Sequence, residues 1–157
     1  MTVEIRPERA DHPEAIALIE ELDGALGPLY PAASRHGFSV AKLLAQGVDL
    51  FVLRDDGVPA ACGGILYLDD ARDGTRFGEV KRMYVRPAFR GRGHARRILA
   101  HIEAHAAERG VKVLRLETGI HQVEAIQLYE GAGYGYVAAF PPYEDDPLSR
   151  YLEKRLD

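Results

Sequence analysis

A long amphipathic helix pattern between two strand patterns limits the folds open to this chain. From residue 93 to residue 109, apolar residues recur at spacings of three and four, the period of a helix that buries one face. These residues are Ala95, Ile98, Leu99, Ile102 and Ala106. Alternating strand patterns precede it at residues 79–85 and follow it at 111–117. This arrangement predicts an α/β or α+β domain built on one mixed sheet.

The rest of the chain also contains helix patterns and strand patterns. They predict helices over residues 13–23, 39–44 and 122–131, and strands over residues 3–5, 48–53, 60–67, 134–140 and 150–155. Ser39 is expected to cap the second helix, and Asp55-Asp56-Gly57 is typical of a hairpin turn. The predicted order is βααβββαβαββ. Because no repeat or linker divides it, we expect a single domain over residues 1–157.

Composition and charge argue against several classes of function. The chain is 46% hydrophobic and 28% charged, and no stretch approaches the roughly 18 apolar residues of a membrane span. The N-terminus shows no signal or transit peptide, so a cytoplasmic location is expected. A net charge of −4 argues against nucleic acid as a partner. No metal site is predicted: Cys62 is expected to be a small core residue, and His101 and His105 to lie on a solvated helix face.

A glycine-rich turn at residues 90–95 is the strongest candidate for a ligand site. It leads into the long helix, whose first backbone N–H groups are unpaired and carry partial positive charge. Gly91 and Gly93 admit a ligand close to the backbone, while Arg90 and Arg92 add donors suited to phosphate. The pattern favours a pyrophosphate, with a turn of solvated arginines as the structural alternative. It lacks the ending of a P-loop and the third glycine of a dinucleotide fold.

Two segments of the chain resemble the GNAT acetyltransferase superfamily. Arg90, Gly93 and Ala95 match the family's cofactor motif Arg/Gln-x-x-Gly-x-Gly/Ala at a strand-to-helix junction. Residues 125–134 look like its later signature, Ala-x-x-Leu-Tyr-x-x-x-Gly-Phe/Tyr. Order and spacing also fit, so the resemblance covers nearly the whole chain. It implies a GNAT fold, a bent mixed sheet of about seven strands flanked by about four helices, with central strands that separate.

The resemblance implies an N-acetyltransferase that uses acetyl-CoA. The pantetheine arm would lie between the separated strands, against the backbone of Met83, Tyr84 and Val85. Its pyrophosphate would lie on Arg90, Gly91, Arg92, Gly93, His94 and Ala95. Many family members place Asn at a further pantetheine contact, where this chain has Gln122.

Acyl transfer to an amine requires a base for the amine and an acid for the departing thiolate. The family signature places Tyr129 beside the thioester sulfur, which implies the acid; packing on the apolar helix face is the structural alternative. An aliphatic amine, with a pKa of about 10.4, must lose a proton before it attacks. Glu79 and Glu117 are both candidates for the base, and each has neighbouring cations that offer a structural ion pair instead.

The acceptor is predicted only as a class, the primary amine of a small molecule or a peptide, attacked directly in a ternary complex. Tyr30 and Tyr143 are expected to line its pocket. The charges conflict, because Asp145-Asp146 favours a cationic amine and Lys81-Arg82 favours an acceptor with a carboxylate. The competing hypothesis is a catalytically silent module that binds acyl-CoA. Homodimer formation is left open.

Overall fold

The fold is an open, mixed sheet of seven strands with helices on both faces. The computed structural model describes residues 2–156. In chain order its elements are β1 (Val3–Glu8), α1 (Pro13–Leu26), α2 (Val40–Gln46), β2 (Asp49–Asp55), β3 (Val58–Asp69), β4 (Arg76–Val85), α3 (His94–Glu108), β5 (Val113–Gly119), α4 (Val123–Gly131), β6 (Gly135–Val137) and β7 (Ser149–Arg155). Within this range, no helix is long and apolar enough to cross a membrane.

The strands lie in the order β1-β2-β3-β4-β5-β7-β6. Every neighbouring pair is antiparallel except β4 and β5, which are parallel and joined through α3. A parallel pair needs a crossover connection, and α3 supplies it. The start of α3 therefore lies at the end of β4, next to the centre of the sheet.

Strand alternation divides the core into a layer on each face. Phe51 and Leu53 of β2 pack with Ile98 and Ile102 on the α3 side. Their neighbours in sequence, Leu50 and Val52, face the opposite way, and join the layer that packs against α1 and α2. Successive side chains of a strand point to opposite faces, so β2 contributes to both layers.

The predicted order of elements is confirmed, and some boundaries differ. Ser39 Oγ accepts from Lys42 N–H at 3.2 Å, as expected of a helix cap. α1 continues through Gly24 to Leu26, because one interior glycine costs only about 1 kcal/mol and Leu22 remains packed in the core. β6 is much shorter than predicted.

The predicted sixth strand ends early because Phe140 leaves the sheet edge for the core. β6 pairs with β7 only over residues 135–137. Phe140 is 1% exposed, and its ring centroid lies 5.7 Å from that of Phe77. Burying a large aromatic ring outweighs a further edge pairing, so the chain turns inward before residue 140.

The prediction that His101 and His105 lie on a solvated face is wrong. Their rings lie 4.7 and 5.1 Å from the ring of Phe51, and His105 Nδ1 is 2.6 Å from the Tyr67 hydroxyl oxygen. The face of α3 that packs against the sheet is wider than the apolar stripe, and it includes these two polar rings. Cys62, in contrast, is buried as predicted.

Candidate functional site

The sheet opens between its two central parallel strands. β4 and β5 pair only at Gly78 with Leu114 and at Glu79 with Arg115. Beyond these pairs β4 continues to pair with β3, and β5 continues to pair with β7. The strands β4 and β5 therefore separate. Two cavities meet at this opening, and both are lined by Met83, Gln122 and Tyr129.

A β-bulge in β4 lies at the opening. Between two regular pairs, Cys62 with Tyr84 and Gly64 with Lys81, β4 contains one more residue than β3. Arg82, inside the bulge, adopts a φ of 57°. A bulge bends its strand and leaves backbone groups outside the ladder. The bulge therefore places an irregular stretch of backbone where the two strands part.

The larger cavity, of about 700 Å³, extends from the opening to the first turn of α3. Gly91 and Gly93 both adopt a φ of 80°, which glycine tolerates and other residues rarely adopt. The first α-helical hydrogen bond runs from Arg97 N–H to Gly93 O, so the N–H groups of residues 94–96 have no partner within the helix. Unpaired N–H groups at a helix N-terminus are able to bind an anion, as the sequence predicts for this turn.

Asp55, at the end of β2, holds the start of α3. Its Oδ2 atom accepts from Arg92 Nη1 and from His94 Nε2, each at 2.8 Å. Arg97 Nη1 lies 3.1 Å from His94 Nδ1, so both ring nitrogens of His94 have a neighbour in this network. Both hydrogen bonds lower the pKa of Asp55, and the bond from His94 has the larger effect. The side chains of Arg92 and His94 thus brace the turn, and Arg92 does not line the cavity.

The smaller cavity, of about 250 Å³, lies on the other side of the opening. Its walls include Tyr30, Tyr143, Glu79, Lys81, Arg82 and Glu117. Tyr30 is 5% exposed, and its hydroxyl accepts from the backbone N–H of His121 at 3.0 Å. Asp145 and Asp146 are not among the residues that line the cavity. Asp146 instead accepts from the backbone N–H of Leu148 at 2.9 Å.

Tyr129, on α4, lies where the two cavities meet. It is 5% exposed, and its hydroxyl has no hydrogen-bond partner within residues 2–156. Burial raises the pKa of Tyr129, and the carboxylate of Glu117 raises it further. The phenol therefore keeps its proton at neutral pH, and this proton is directed to the cavities rather than to a protein acceptor.

The two candidate carboxylates have different surroundings. Glu79 Oε2 lies 3.1 Å from Lys81 Nζ and also accepts from the Tyr143 hydroxyl. Glu117 accepts one hydrogen bond, from Ser149 Oγ at 2.8 Å, and has no salt bridge within the described chain. Burial raises the pKa of Glu117. Glu79 is held in an ion pair, whereas Glu117 has no ionic partner within the described chain.

Known proteins share both the sequence and the fold of this chain. A sequence model of the acetyltransferase (GNAT) family matches residues 15–134. The chain belongs to this family. One relative, the IAA acetyltransferase of Azospirillum brasilense, is 43% identical over 141 residues, covering 90% of each chain. Another, the uncharacterized N-acetyltransferase YsnE of Bacillus subtilis, is 31% identical over 145 residues, covering 91% of this chain and 93% of its own.

Solved structures agree with the GNAT assignment. A structure described as a putative acyl-CoA N-acyltransferase from Klebsiella pneumoniae superposes with a TM-score of 0.80 at 38% identity, covering 99% of both chains. The PaiA N-acetyltransferase of Thermoplasma acidophilum, solved with coenzyme A, has a TM-score of 0.75 at 16% identity over 99% of both chains, and so shares the fold. The predicted family, fold and enzyme class, an acyltransferase, are confirmed.

Most residues predicted for the GNAT site do meet at the opening. The larger cavity is lined by Met83, Tyr84, Val85, Arg90, Gly91, Gly93, His94, Ala95 and Gln122, but not by Arg92. Gln122 Oε1 accepts from the backbone N–H of Gly119 at 3.0 Å, which fixes its amide group. Sequence reasoning missed Asp55, because its turn sequence indicated only a hairpin, and Arg35, which occurs in an irregular loop without a motif.

Proposed function

We propose that this GNAT enzyme transfers an acetyl group from acetyl-CoA to a primary amine of a small molecule or peptide, by direct attack in a ternary complex. The observation that carries the proposal is the pair of cavities that meet at the opening between β4 and β5. One is suited to a long cofactor and the other to an acceptor. Tyr129 lines both, so one hydroxyl lies within reach of both reactants.

The larger cavity fits coenzyme A. The unpaired N–H groups of residues 94–96 and the exposed guanidinium of Arg90 would hold the pyrophosphate. The backbone of Met83 to Val85, at the edge left free by β5, would hold the pantetheine amides. Acetyl-CoA supplies a thioester, whose acetyl carbon is open to attack by an amine.

Glu117 is the stronger candidate for the general base. A base must accept a proton from an ammonium group, and a carboxylate with a raised pKa does so more readily. Glu79 is less suited, because its Oε2 atom is already occupied by Lys81 and Tyr143. Glu79 then acts by holding Lys81 and Tyr143 in the wall of the cavity.

Tyr129 would donate a proton to the departing thiolate. Its hydroxyl has no protein acceptor within the described chain, and its raised pKa keeps it protonated. Cys62 does not offer an alternative acyl-enzyme route: burial raises the pKa of its thiol to about 12, and Sγ donates to the backbone carbonyl of Arg82 at 3.3 Å. Direct transfer follows.

The proposal is tested by following the release of free coenzyme A from acetyl-CoA with a panel of primary amines. IAA, which has no primary amine, is assayed separately because the relative from Azospirillum brasilense is named for it. Acetylated product, identified by mass spectrometry, is the expected result. Tight binding of coenzyme A without turnover on any acceptor would instead favour the silent binding module.

A further inference from the structure

Three acidic and three basic residues line the smaller cavity. They are Asp23, Glu79 and Glu117, and Arg35, Lys81 and Arg82. His36 also lines it, with Nε2 at 3.4 Å from Asp146 Oδ2. An acceptor must match this arrangement of charge, because a charge that stays unpaired in a desolvated site is costly.

Two of the possible ion pairs are already formed by the protein. Lys81 Nζ lies 3.1 Å from Glu79 Oε2, and both side chains are almost fully buried. Arg82 Nη2 contacts Asp23 Oδ1. One acid and one base remain without an ionic partner among residues 2–156, namely Glu117 and Arg35. The cavity therefore offers a ligand one free carboxylate and one free guanidinium.

Arg35 is held in position by neutral groups. Its Nε donates to the backbone carbonyl of Tyr30 at 2.9 Å, and its Nη2 donates to that of Gly27 at 3.2 Å. These bonds orient the guanidinium, which is exposed to solvent and has no ionic partner among residues 2–156. Nη1 has no hydrogen-bond partner in the described part of the chain. A guanidinium fixed in this way is well suited to a carboxylate.

Arg82 does not offer a second free cation. Its side chain is 2% exposed, and its Nη2 atom contacts Asp23 Oδ1. Its Nε atom has no hydrogen-bond partner within residues 2–156, but it is fully buried, so a ligand in the cavity does not reach it. Arg82 therefore forms part of the cavity wall, and Arg35 is left to bind an anionic group.

We infer that the acceptor carries a carboxylate as well as its amine, as an amino acid does, with the amine at Glu117 and the carboxylate at Arg35. This inference rests on the proposed function for the role of the amine. The cavity of about 250 Å³ is smaller than the roughly 300–1,000 Å³ of sites for drug-sized ligands, which favours a single amino acid over a longer peptide. Polyamines would bring a second cation towards Arg35 and are expected to be poor acceptors.

The test compares acceptors that differ only in the carboxylate. L-phenylalanine and L-leucine are paired with their amides, and each is assayed with the wild type, Arg35→Gln and Arg35→Lys. The wild type should prefer the acids, and Arg35→Gln should reduce the ratio of kcat/KM between acid and amide by roughly 10- to 100-fold. The amines of the acids and of the amides differ in pKa, but this difference affects the ratio equally in every variant. It therefore cancels when the ratio is compared between variants. Arg35→Lys, which retains the charge, should keep much of the preference.

Two controls separate a charge effect from damage to the loop. Arg6→Gln removes an exposed arginine of β1 outside both cavities and should leave the ratio unchanged. Calorimetric binding of the same acids and amides to the protein loaded with coenzyme A measures the carboxylate preference without turnover. Acid-selective binding without turnover would support the inference while contradicting the proposed function. The inference would be overturned if turnover or binding did not depend on the carboxylate. An unchanged ratio in Arg35→Gln, or no binding of either acceptor, would also overturn it.

Discussion

Individual side chains at the opening carry the proton transfers that the proposed reaction needs. Tyr129 is buried and Glu117 is partly buried, and burial raises the pKa of each. The two shifts have opposite uses: the phenol remains an acid that donates when the thiolate leaves, and the carboxylate becomes a better acceptor. A pair of groups with distinct environments is a common basis for acid and base roles in one site.

Replacing Tyr129 by Phe removes the proposed acid while keeping the ring. We expect kcat to fall by about 10²- to 10⁴-fold, because general acid catalysis contributes about that factor, with little change in coenzyme A affinity. Tyr134→Phe is the matched control, since Tyr134 is equally buried but donates to Glu103 Oε2 at 2.8 Å. The control should lose about 1 kcal/mol of stability and keep its turnover. Near-normal kcat in Tyr129→Phe would show that the proton comes from elsewhere.

Exchanging Glu117 for Gln removes the proposed base. The pH profile of kcat/KM should have an acidic limb above the ordinary glutamate pKa of about 4.3, since burial raises the pKa of Glu117. Glu117→Gln should abolish this limb and lower kcat by about 10²-fold or more. Glu79→Gln should destabilise the chain by leaving Lys81 without its carboxylate, yet keep the limb. If the limb disappears in Glu79→Gln instead, the roles are reversed.

Glu117 also links stability to pH. Its pKa is higher in the folded chain than in the unfolded chain, so the folded chain retains this proton to higher pH. Stability is therefore lost as the pH rises from the unfolded-state pKa through the folded-state pKa. Glu117→Gln avoids this loss, and its Tm relative to the wild type should be higher at pH 7 than at pH 4. Thermal melts that show the same difference at both pH values would contradict the raised pKa.

At the scale of elements, the junction of β4 and α3 combines the bulge, the glycine turn and the helix N-terminus in one short segment. Asp55 of β2 ties this segment to the sheet through Arg92 and His94. The bulge lies just beyond the last residue of β4 that pairs with β5, and the helix starts after the end of the same strand. The geometry of the cofactor site therefore depends on the contacts between β2, β4 and α3.

Gly93→Ala tests the turn against a control with similar backbone geometry. Gly93 has a φ of 80° and Gly110, at the far end of α3, has a φ of 72°. A Cβ would find open space at Gly110 and only the Arg97 side chain, at 3.6 Å, near Gly93. Each substitution should cost about 1–2 kcal/mol of stability through strain. Only Gly93→Ala should also weaken coenzyme A binding in calorimetry; equal affinity in both variants would contradict the pyrophosphate site.

At the scale of the whole molecule, the opening makes the two halves of the sheet dependent on one short parallel pairing. β4 and β5 are joined by two residue pairs, whereas β5 and β7 share seven. A ligand that fills the larger cavity would contact the β4 edge, the start of α3 and α4 together. Cofactor binding is therefore expected to stabilise the folded chain as a unit.

Thermal melting with coenzyme A measures this stabilisation. A ligand at 100 times its Kd stabilises the folded state by about 2.7 kcal/mol, which for a chain of this size raises Tm by about 5–10 °C. Gly93→Ala should show a smaller rise at the same ligand concentration. The absence of any rise in the wild type, up to millimolar coenzyme A, would contradict the assignment of the larger cavity.

Local features of the sequence determined the order of elements, the α3 helix, the Ser39 cap and the glycine turn, because periodicity and turn preferences act over a few residues. Only the tertiary structure decided what these elements hold together. Asp55 meets His94 across 39 residues, and Glu79 meets Tyr143 across 64. Such contacts depend on strand register and packing, which a sequence pattern does not encode locally. The same reason explains why the choice between Glu79 and Glu117, and the free charge of Arg35, emerged only from the folded chain.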